Sequence, residues 1–299
     1  MYIWKNNYMK IIDGKKVSIE VLDEIKSSVE NRAKNSLKIP HLAAILVGDD
    51  GPSQTYVNSK IKACDRVGFK SSLFKYNDSI SEQDLISEIQ KVNNNDDIDG
   101  FIVQLPLPKK INQEKILSQV DPHKDVDGFH PINYGKMALG LDTFLPATPA
   151  GIIELIKRSK IQTEGKKCLV IGRSQIVGRP ISILLSQSKV FGNSTVTVAH
   201  SKTINLKELC IDSDLIISAI GSPEFIKGNM IKKGSTIIDV GITRVDDSSS
   251  NKGYRIVGDV DFNSVLDRVG YITPVPGGVG PMTIAMLLKN TLKACSLSD

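Results

Sequence analysis

From Leu42 to Gly48 the chain reads LAAILVG, an unbroken apolar run that stops at Gly48-Asp49-Asp50-Gly51-Pro52. A run without polar alternation suits a strand buried on both faces, and such a strand needs a covering layer on each side. The next segments can supply those layers. Thr55 to Val67 predicts a helix, Phe69 to Tyr76 a strand, and Gly100 to Leu105 another strand. Between the last two, Ser81 to Val92 predicts a helix opened by Ser81 with Asp84 at the fourth position. Alternating strands and helices of this kind predict a parallel sheet and an α/β class.

The stretch Pro106 to Pro149 is rich in Pro, Gly and Asp and holds only short periodic pieces, so the domain boundary is expected there. Thr148 and Pro149 form a favourable N-cap and first-position pair for a helix over Ala150 to Arg158. A second β/α series then begins with a strand at Lys167 to Ile171 and a helix near Gly178 to Ser188. Further strands are expected at Thr195 to Ala199, Leu215 to Ile220 and Thr236 to Val240. This doubly wound pattern predicts two parallel-sheet α/β domains, residues 1–146 and 147–281, with the apolar helix at 282–299 packing back on the first. A chain of 299 residues is long enough for two cores.

The formal charge of +5 comes from scattered Lys and Arg with no basic block and few aromatics, which disfavours nucleic acid as a partner. Cys64, Cys168, Cys210 and Cys295 form no CxxC pair and suit reduced, packed thiols. No segment approaches the ~18 to 20 apolar residues of a membrane span. The expected location is the cytoplasm. Met9 to Gly14 (MKIIDG) reads as a more natural beginning than Met1, so the first eight residues are expected to be an extension or a misassigned start.

Gly172-Arg173-Ser174-Gln175-Ile176-Val177-Gly178 follows a buried strand and opens a helix, where free backbone N–H groups and the helix dipole attract phosphate. Ser174 replaces the second glycine of the usual dinucleotide fingerprint, and a plain strand-to-helix turn is the competing reading. The next strand ends in Ala199-His200-Ser201-Lys202, without the carboxylate that would bond the ribose of NAD. Arg173, Ser174 and Ser201 could instead hold the 2′-phosphate of NADP. The second domain is therefore expected to be a Rossmann-like dinucleotide-binding domain.

Tyr56 and Lys60 stand four apart near the start of a helix, just past the first strand, which is where ligands bind in open parallel sheets. A Tyr and a Lys at this spacing are more often a solvated face. Gln104 adds to the signal, because a polar amide ending the apolar strand in VQLPLP needs a partner. The acidic loop Asp121 to His130 has neither zinc spacing nor the Gly and Glu positions of a calcium loop, so no metal is expected.

Six motifs in order resemble the bifunctional methylenetetrahydrofolate dehydrogenase and methenyltetrahydrofolate cyclohydrolase family. They are Tyr56 to Lys60 (YVNSK), Val103 to Pro108 (VQLPLP), Lys124 to Gly128 (KDVDG), Gly172-Arg173-Ser174 with Val177-Gly178, His200 to Thr203 (HSKT), and Thr273 to Thr283 (TPVPGGVGPMT). The likeness covers nearly the whole chain after residue 9. One departure is Ala147, where some relatives carry Cys, which argues against an essential thiol there.

The resemblance implies NADP-dependent oxidation of 5,10-methylenetetrahydrofolate to the methenyl form, then hydrolysis to 10-formyltetrahydrofolate, with the pterin in a cleft between the domains. It implies that Tyr56 stacks on the pterin, that Asp127 accepts from its donor-rich edge, and that Lys60, oriented by Gln104, moves the protons of hydrolysis. A free lysine titrates near ~10.4, so the site must depress it. Pro276, Gly277 and Gly278 would approach the substrate, the glycines being free to take positive φ. Gly172, Arg173, Ser174, Val177, Gly178, His200, Ser201 and Ile242 would line the nucleotide. A homodimer is likewise implied by the resemblance alone. Two rivals remain: another NAD(P)-dependent oxidoreductase, and a non-catalytic folate- or nucleotide-binding protein. A short-chain dehydrogenase is disfavoured because its Tyr and Lys follow the Gly-rich loop, whereas here they precede it.

Overall fold

The computed structural model describes residues 9–250 and 253–299; the expected N-terminal extension lies outside the described residues. In chain order the first elements are β1 (Lys10–Ile11), α1 (Gly14–Lys34), β2 (His41–Val47), α2 (Gly51–Val67), β3 (Lys70–Tyr76), α3 (Glu82–Asn93) and β4 (Gly100–Val103). Then come α4 (Gln113–Leu117), α5 (Pro131–Ala138), α6 (Ala147–Arg158), β5 (Lys167–Ile171), α7 (Gly178–Ser186), β6 (Thr195–Ala199), α8 (Leu206–Asp212) and β7 (Leu215–Ser218). The last are β8 (Thr236–Asp239), β9 (Thr243–Asp246), β10 (Tyr254–Val257), α9 (Phe262–Val265), β11 (Tyr271–Ile272) and α10 (Val279–Ser296). The described residues group into two compact units: Ser18–Ala147 with Ile284–Asp299, and residues 9–17 with Thr148–Thr283.

In the unit built on Ser18–Ala147, three parallel strands lie in the order β3-β2-β4. Every residue of β2 is buried, as its unbroken apolar run requires. Ala43, Ile45 and Val47 on one face pack with Leu85, Ile89 and Val92 of α3. The chain goes from β2 to β3 on one side and then crosses to β4 on the other. The carboxyl end of β2 is therefore a topological switch point, where open α/β sheets bind ligands.

The other unit is a six-stranded parallel sheet ordered β1-β11-β8-β7-β5-β6. From β5 the chain steps to β6 on one side and crosses to β7 on the other, so its switch point lies at the end of β5. Leu169, Ile171, Ile216 and Ile237 build its core with Cys210, Ile226 and Val265. The β9–β10 hairpin is a separate antiparallel ribbon.

Two expectations need correction, and one helix was not foreseen. Residues 9–17 were expected in the first domain, but β1 pairs with β11, and Ile12 N–H donates to Ile272 O at 2.8 Å. A strand of two residues shows no alternation that a sequence could reveal. Helix α6 begins at Ala147, so Thr148 is no N-cap; its hydroxyl instead bonds that of Thr283 at 3.0 Å. Helix α1 was not anticipated, although Val21, Ile25 and Val29 recur at helical spacing and are buried. At the other terminus, Asn290 of α10 donates to the carbonyls of Val126 and Leu145 at 2.8 and 2.9 Å. That places residues 284–299 against Ser18–Ala147.

Candidate active site

Helix α2 starts where β2 ends. Asp50 caps it by accepting from Ser53 N–H at 2.9 Å and from the Ser53 hydroxyl at 2.7 Å, with Pro52 in the first turn. Val57, Cys64 and Val67 form the buried face. One turn apart on a neighbouring face stand Tyr56, 48% exposed, and Lys60, half-buried. Lys60 Nζ donates to Gln104 Oε1 at 3.0 Å, and Gln104 Nε2 donates to Leu105 O at 2.7 Å. That second bond fixes which end of the amide faces the amine. Gln104 follows β4, so the pair joins the two strands flanking the switch point.

Burial pushes the Lys60 pKa below the ordinary lysine value, and the Asp127 carboxylate opposes the shift. Burial also pushes Asp127 up, with Lys60 opposing. The sequence reading credited Gln104 with orienting Lys60 free of negative charge; the structure adds Asp127 to the same surroundings. A buried amine next to a neutral acceptor and an acid that resists ionising gives up its proton more readily than a free lysine, which suits it to proton transfer.

The loop presenting Asp127 is braced by its neighbours. Lys124 Nζ donates to Asn95 O at 2.7 Å. The buried Asp125 accepts from His130 N–H at 2.8 Å, Phe129 N–H at 3.1 Å and Asn133 Nδ2 at 2.9 Å. Burial lifts Asp125 to about 7 despite those donors. Gly128 sits at φ +72°, where a Cβ would fall 2.6 Å from Pro146 N. Sequence reasoning picked Asp127 from this motif but missed Asp125, Asn133 and Asn290 as its supports. The signal for Asp125 was its place two residues before Asp127 in the acidic loop; Asn290, on a distant helix, left none.

In the other unit the Gly172 turn sits at the switch point after β5. Gly172 takes φ +118°, and a Cβ there would lie 2.3 Å from Ala219 O; one on Gly178 would lie 2.2 Å from Gly172 O. Ser174 Oγ accepts from Val177 and Gly178 N–H at 3.2 and 3.3 Å, covering the first amides of α7 and leaving its hydrogen free to donate. Arg173 is exposed and has no ion-pair partner among the described residues. At the end of the adjacent β6, Ser201 and Lys202 are exposed, His200 N–H donates to Thr203 Oγ1 at 2.9 Å, and no carboxylate is present. A free guanidinium and hydroxyls without an acid form a donor set that fits a 2′-phosphorylated dinucleotide. Ile242, 49% exposed, follows β8. The Pro276 segment is tied to the chain start, where Lys15 N–H donates to Gly277 O at 2.8 Å, and Gly277 takes φ +108°.

The catalytic-domain model described as tetrahydrofolate dehydrogenase/cyclohydrolase matches residues 12–127, and its NAD(P)-binding-domain counterpart matches residues 146–299. A curated relative from Christiangramia forsetii, named bifunctional protein FolD, is 59% identical over 286 residues, covering 96% of each chain. The crystal structure of the bifunctional enzyme from Campylobacter jejuni matches with a TM-score of 0.91 at 44% identity, covering 97% of this chain and 100% of that one. The Trypanosoma brucei enzyme, solved with NADP and an inhibitor, also matches with a TM-score of 0.91. It is 37% identical and covers 97% of this chain and 98% of that one.

Proposed function

Because the chain belongs to the tetrahydrofolate dehydrogenase/cyclohydrolase family, we propose that Lys60 is the proton carrier of its hydrolytic step and that Gln104 and Asp127 set that amine's state. The activity is bifunctional. 5,10-Methylenetetrahydrofolate is oxidised with NADP to the methenyl form, which is hydrolysed to 10-formyltetrahydrofolate.

Held at the Gly172 turn, NADP would supply the hydride acceptor. The neighbouring nitrogen lone pair drives hydride loss, so the protein's part there is positioning rather than strong base chemistry. Arg173 and Ser201 would hold the 2′-phosphate through charge-assisted bonds, and Ser174 would donate its remaining hydrogen. Gly172, Val177, Gly178, His200 and Ile242 would shape the rest of that site.

Hydrolysis needs more from the chain. As water attacks the methenyl carbon, the neutral Lys60 amine takes one of its protons and the resulting ammonium passes it to the ring nitrogen as the C–N bond breaks; the carbinol hydroxyl gives up the other to solvent as the formyl C=O forms, so one proton is released overall. Gln104 Oε1 aims the amine in either state. The cationic substrate favours the neutral amine further. Tyr56, with nearly half its surface open, offers its ring for stacking, and Asp127 accepts from the pterin's amino and ring N–H groups. Pro276, Gly277 and Gly278 complete the proposed substrate contacts.

The single observation that carries the reading is the 3.0 Å bond from Lys60 to Gln104, with the amine depressed by burial. The test follows NADPH formation from methylenetetrahydrofolate and then decay of the methenyl absorbance. Both signals are expected, and absence of the second would remove the hydrolytic role. Arg173→Ala should weaken NADP far more than NAD, by about 1.5–3 kcal/mol for a charged hydrogen bond; equal losses would count against the phosphate contact. The remaining proposals are a cytoplasmic homodimer whose formyl product feeds purine synthesis. All four cysteines are free thiols, which suits a reducing compartment, while the dimer rests on family likeness.

A further inference from the structure

Two carboxylates outside the proposed machinery lie at the carboxyl ends of the six-stranded sheet: Asp239, 3% exposed at the end of β8, and Asp259, fully buried after β10. Neither has a cation partner among the described residues, and each is surrounded by donors. Asp239 Oδ1 accepts from Asp259 N–H at 2.9 Å and Gly241 N–H at 3.0 Å, and its Oδ2 accepts from Val260 N–H at 2.9 Å. Asp259 Oδ2 accepts from Ile220 N–H at 2.8 Å and the Ser218 hydroxyl at 3.1 Å, and its Oδ1 accepts from Ser222 N–H at 2.9 Å. The surrounding chain is cut to fit them. A Cβ on Gly241 would fall 2.3 Å from Asp259 Oδ1, and one on Gly258 would fall 2.0 Å from Asp239 Oδ2.

Burying two anions side by side without a cation is costly, and a neutral group would avoid that cost. A carboxyl group, however, accepts at both oxygens, whereas an amide accepts at only one. An asparagine would turn an N–H2 toward one of the backbone donors. The arrangement therefore serves to converge backbone segments, and those segments share a location. Ser218 ends β7 and Ala219 to Ser222 form the loop after it, whose Ala219 carbonyl is what the bare Gly172 approaches. Gly241 and Ile242 are the loop after β8. The Asp239 N–H donates to Thr273 Oγ1 at 2.8 Å, anchoring the start of the Thr273 to Pro276 segment as well.

We infer that Asp239 and Asp259 are positioning residues of the dinucleotide site: without touching the ligand, they lock the loops after β7 and β8 together and so hold the Gly172 turn in register with Ile242. The inference rests on the reading that the Gly172 turn carries NADP.

The decisive variant is Asp259→Asn in the full chain, beside Asp239→Asn and an Arg173→Ala control. KM and directly titrated affinity are measured for both NADP and NAD, and hydrolysis of supplied methenyltetrahydrofolate is measured in the same preparations. Asp259→Asn is expected to raise the KM for NADP and for NAD alike by at least tenfold, while methenyl hydrolysis stays within twofold of wild type. Simple loss of folded protein would instead lower both turnovers together and leave KM in place, which would overturn the inference. So would a nucleotide KM within twofold of wild type while Arg173→Ala still weakens NADP. If Arg173→Ala also binds NADP normally, the nucleotide reading itself fails, and the positioning role falls with it.

Discussion

Replacing Lys60 with Met keeps the length and apolar stem of the side chain and removes only the amine. Its bond to Gln104 Oε1 at 3.0 Å and its pairing with the Asp127 charge both disappear. A positioned general acid–base group contributes roughly 10²–10⁴-fold, so hydrolysis of methenyltetrahydrofolate should fall by about that factor. Oxidation of the methylene form should fall far less, because that step needs geometry rather than a proton carrier. Stability should move the other way. A lysine held below its unfolded pKa favours the folded state only at high pH, and that contribution is lost as pH falls through the depressed value. At neutral pH the wild-type protein therefore carries a penalty of about 1.4 kcal/mol for each tenfold preference against the ammonium. Lys60→Met relieves it. Thermal unfolding at pH 7 should show an unchanged or raised Tm beside the lost turnover. Decay of the methenyl absorbance is the assay, with the uncatalysed rate as baseline. Hydrolysis by the variant well above that baseline, or a sharply lowered Tm, would refute the reasoning.

Other changes probe the same framework. Gln104→Glu places a formal charge on the acceptor 3.0 Å from the amine, so the acid limb of the hydrolysis pH profile should move to higher pH; an unmoved limb would show that the amine is not the titrating group. Gly128→Ala forces a side chain into φ +72° against the Pro146 backbone, so it should cost more than ~1 kcal/mol in urea unfolding and displace Asp127, lowering both activities. The Asp125 pKa of about 7 lies above the ordinary carboxylate value, so its contribution to stability is full at low pH and is lost as pH rises through about 7. The Tm gap between wild type and Asp125→Asn should accordingly narrow from pH 5 to pH 8, and a widening gap would reverse that assignment.

Much of the architecture could be read from local pattern, since an unbroken apolar run such as LAAILVG admits few structures other than a strand covered on both faces. Lys167–Ile171 and Thr195–Ala199 match their expected bounds for the same reason: short β-rich runs end abruptly in glycine or polar residues. Tyr56 and Lys60 were legible because helical spacing is a local property, and Gln104 because an amide at the end of an apolar strand needs a partner. Donors and acceptors belonging to distant segments were not legible. β1 forms only through β11, about as far along the chain as a contact can reach, and Asn290 acquires a purpose only against Val126 and Leu145. Asp239 and Asp259 look like ordinary loop acids until folding surrounds them with backbone N–H groups. Sequence alone determined which segments become strands and helices, because those properties depend on neighbours within a turn or a pleat. Tertiary structure decided the direction in which the pKa values of Lys60, Asp125 and Asp239 move, because a pKa is set by burial and by charges that only long-range packing brings close.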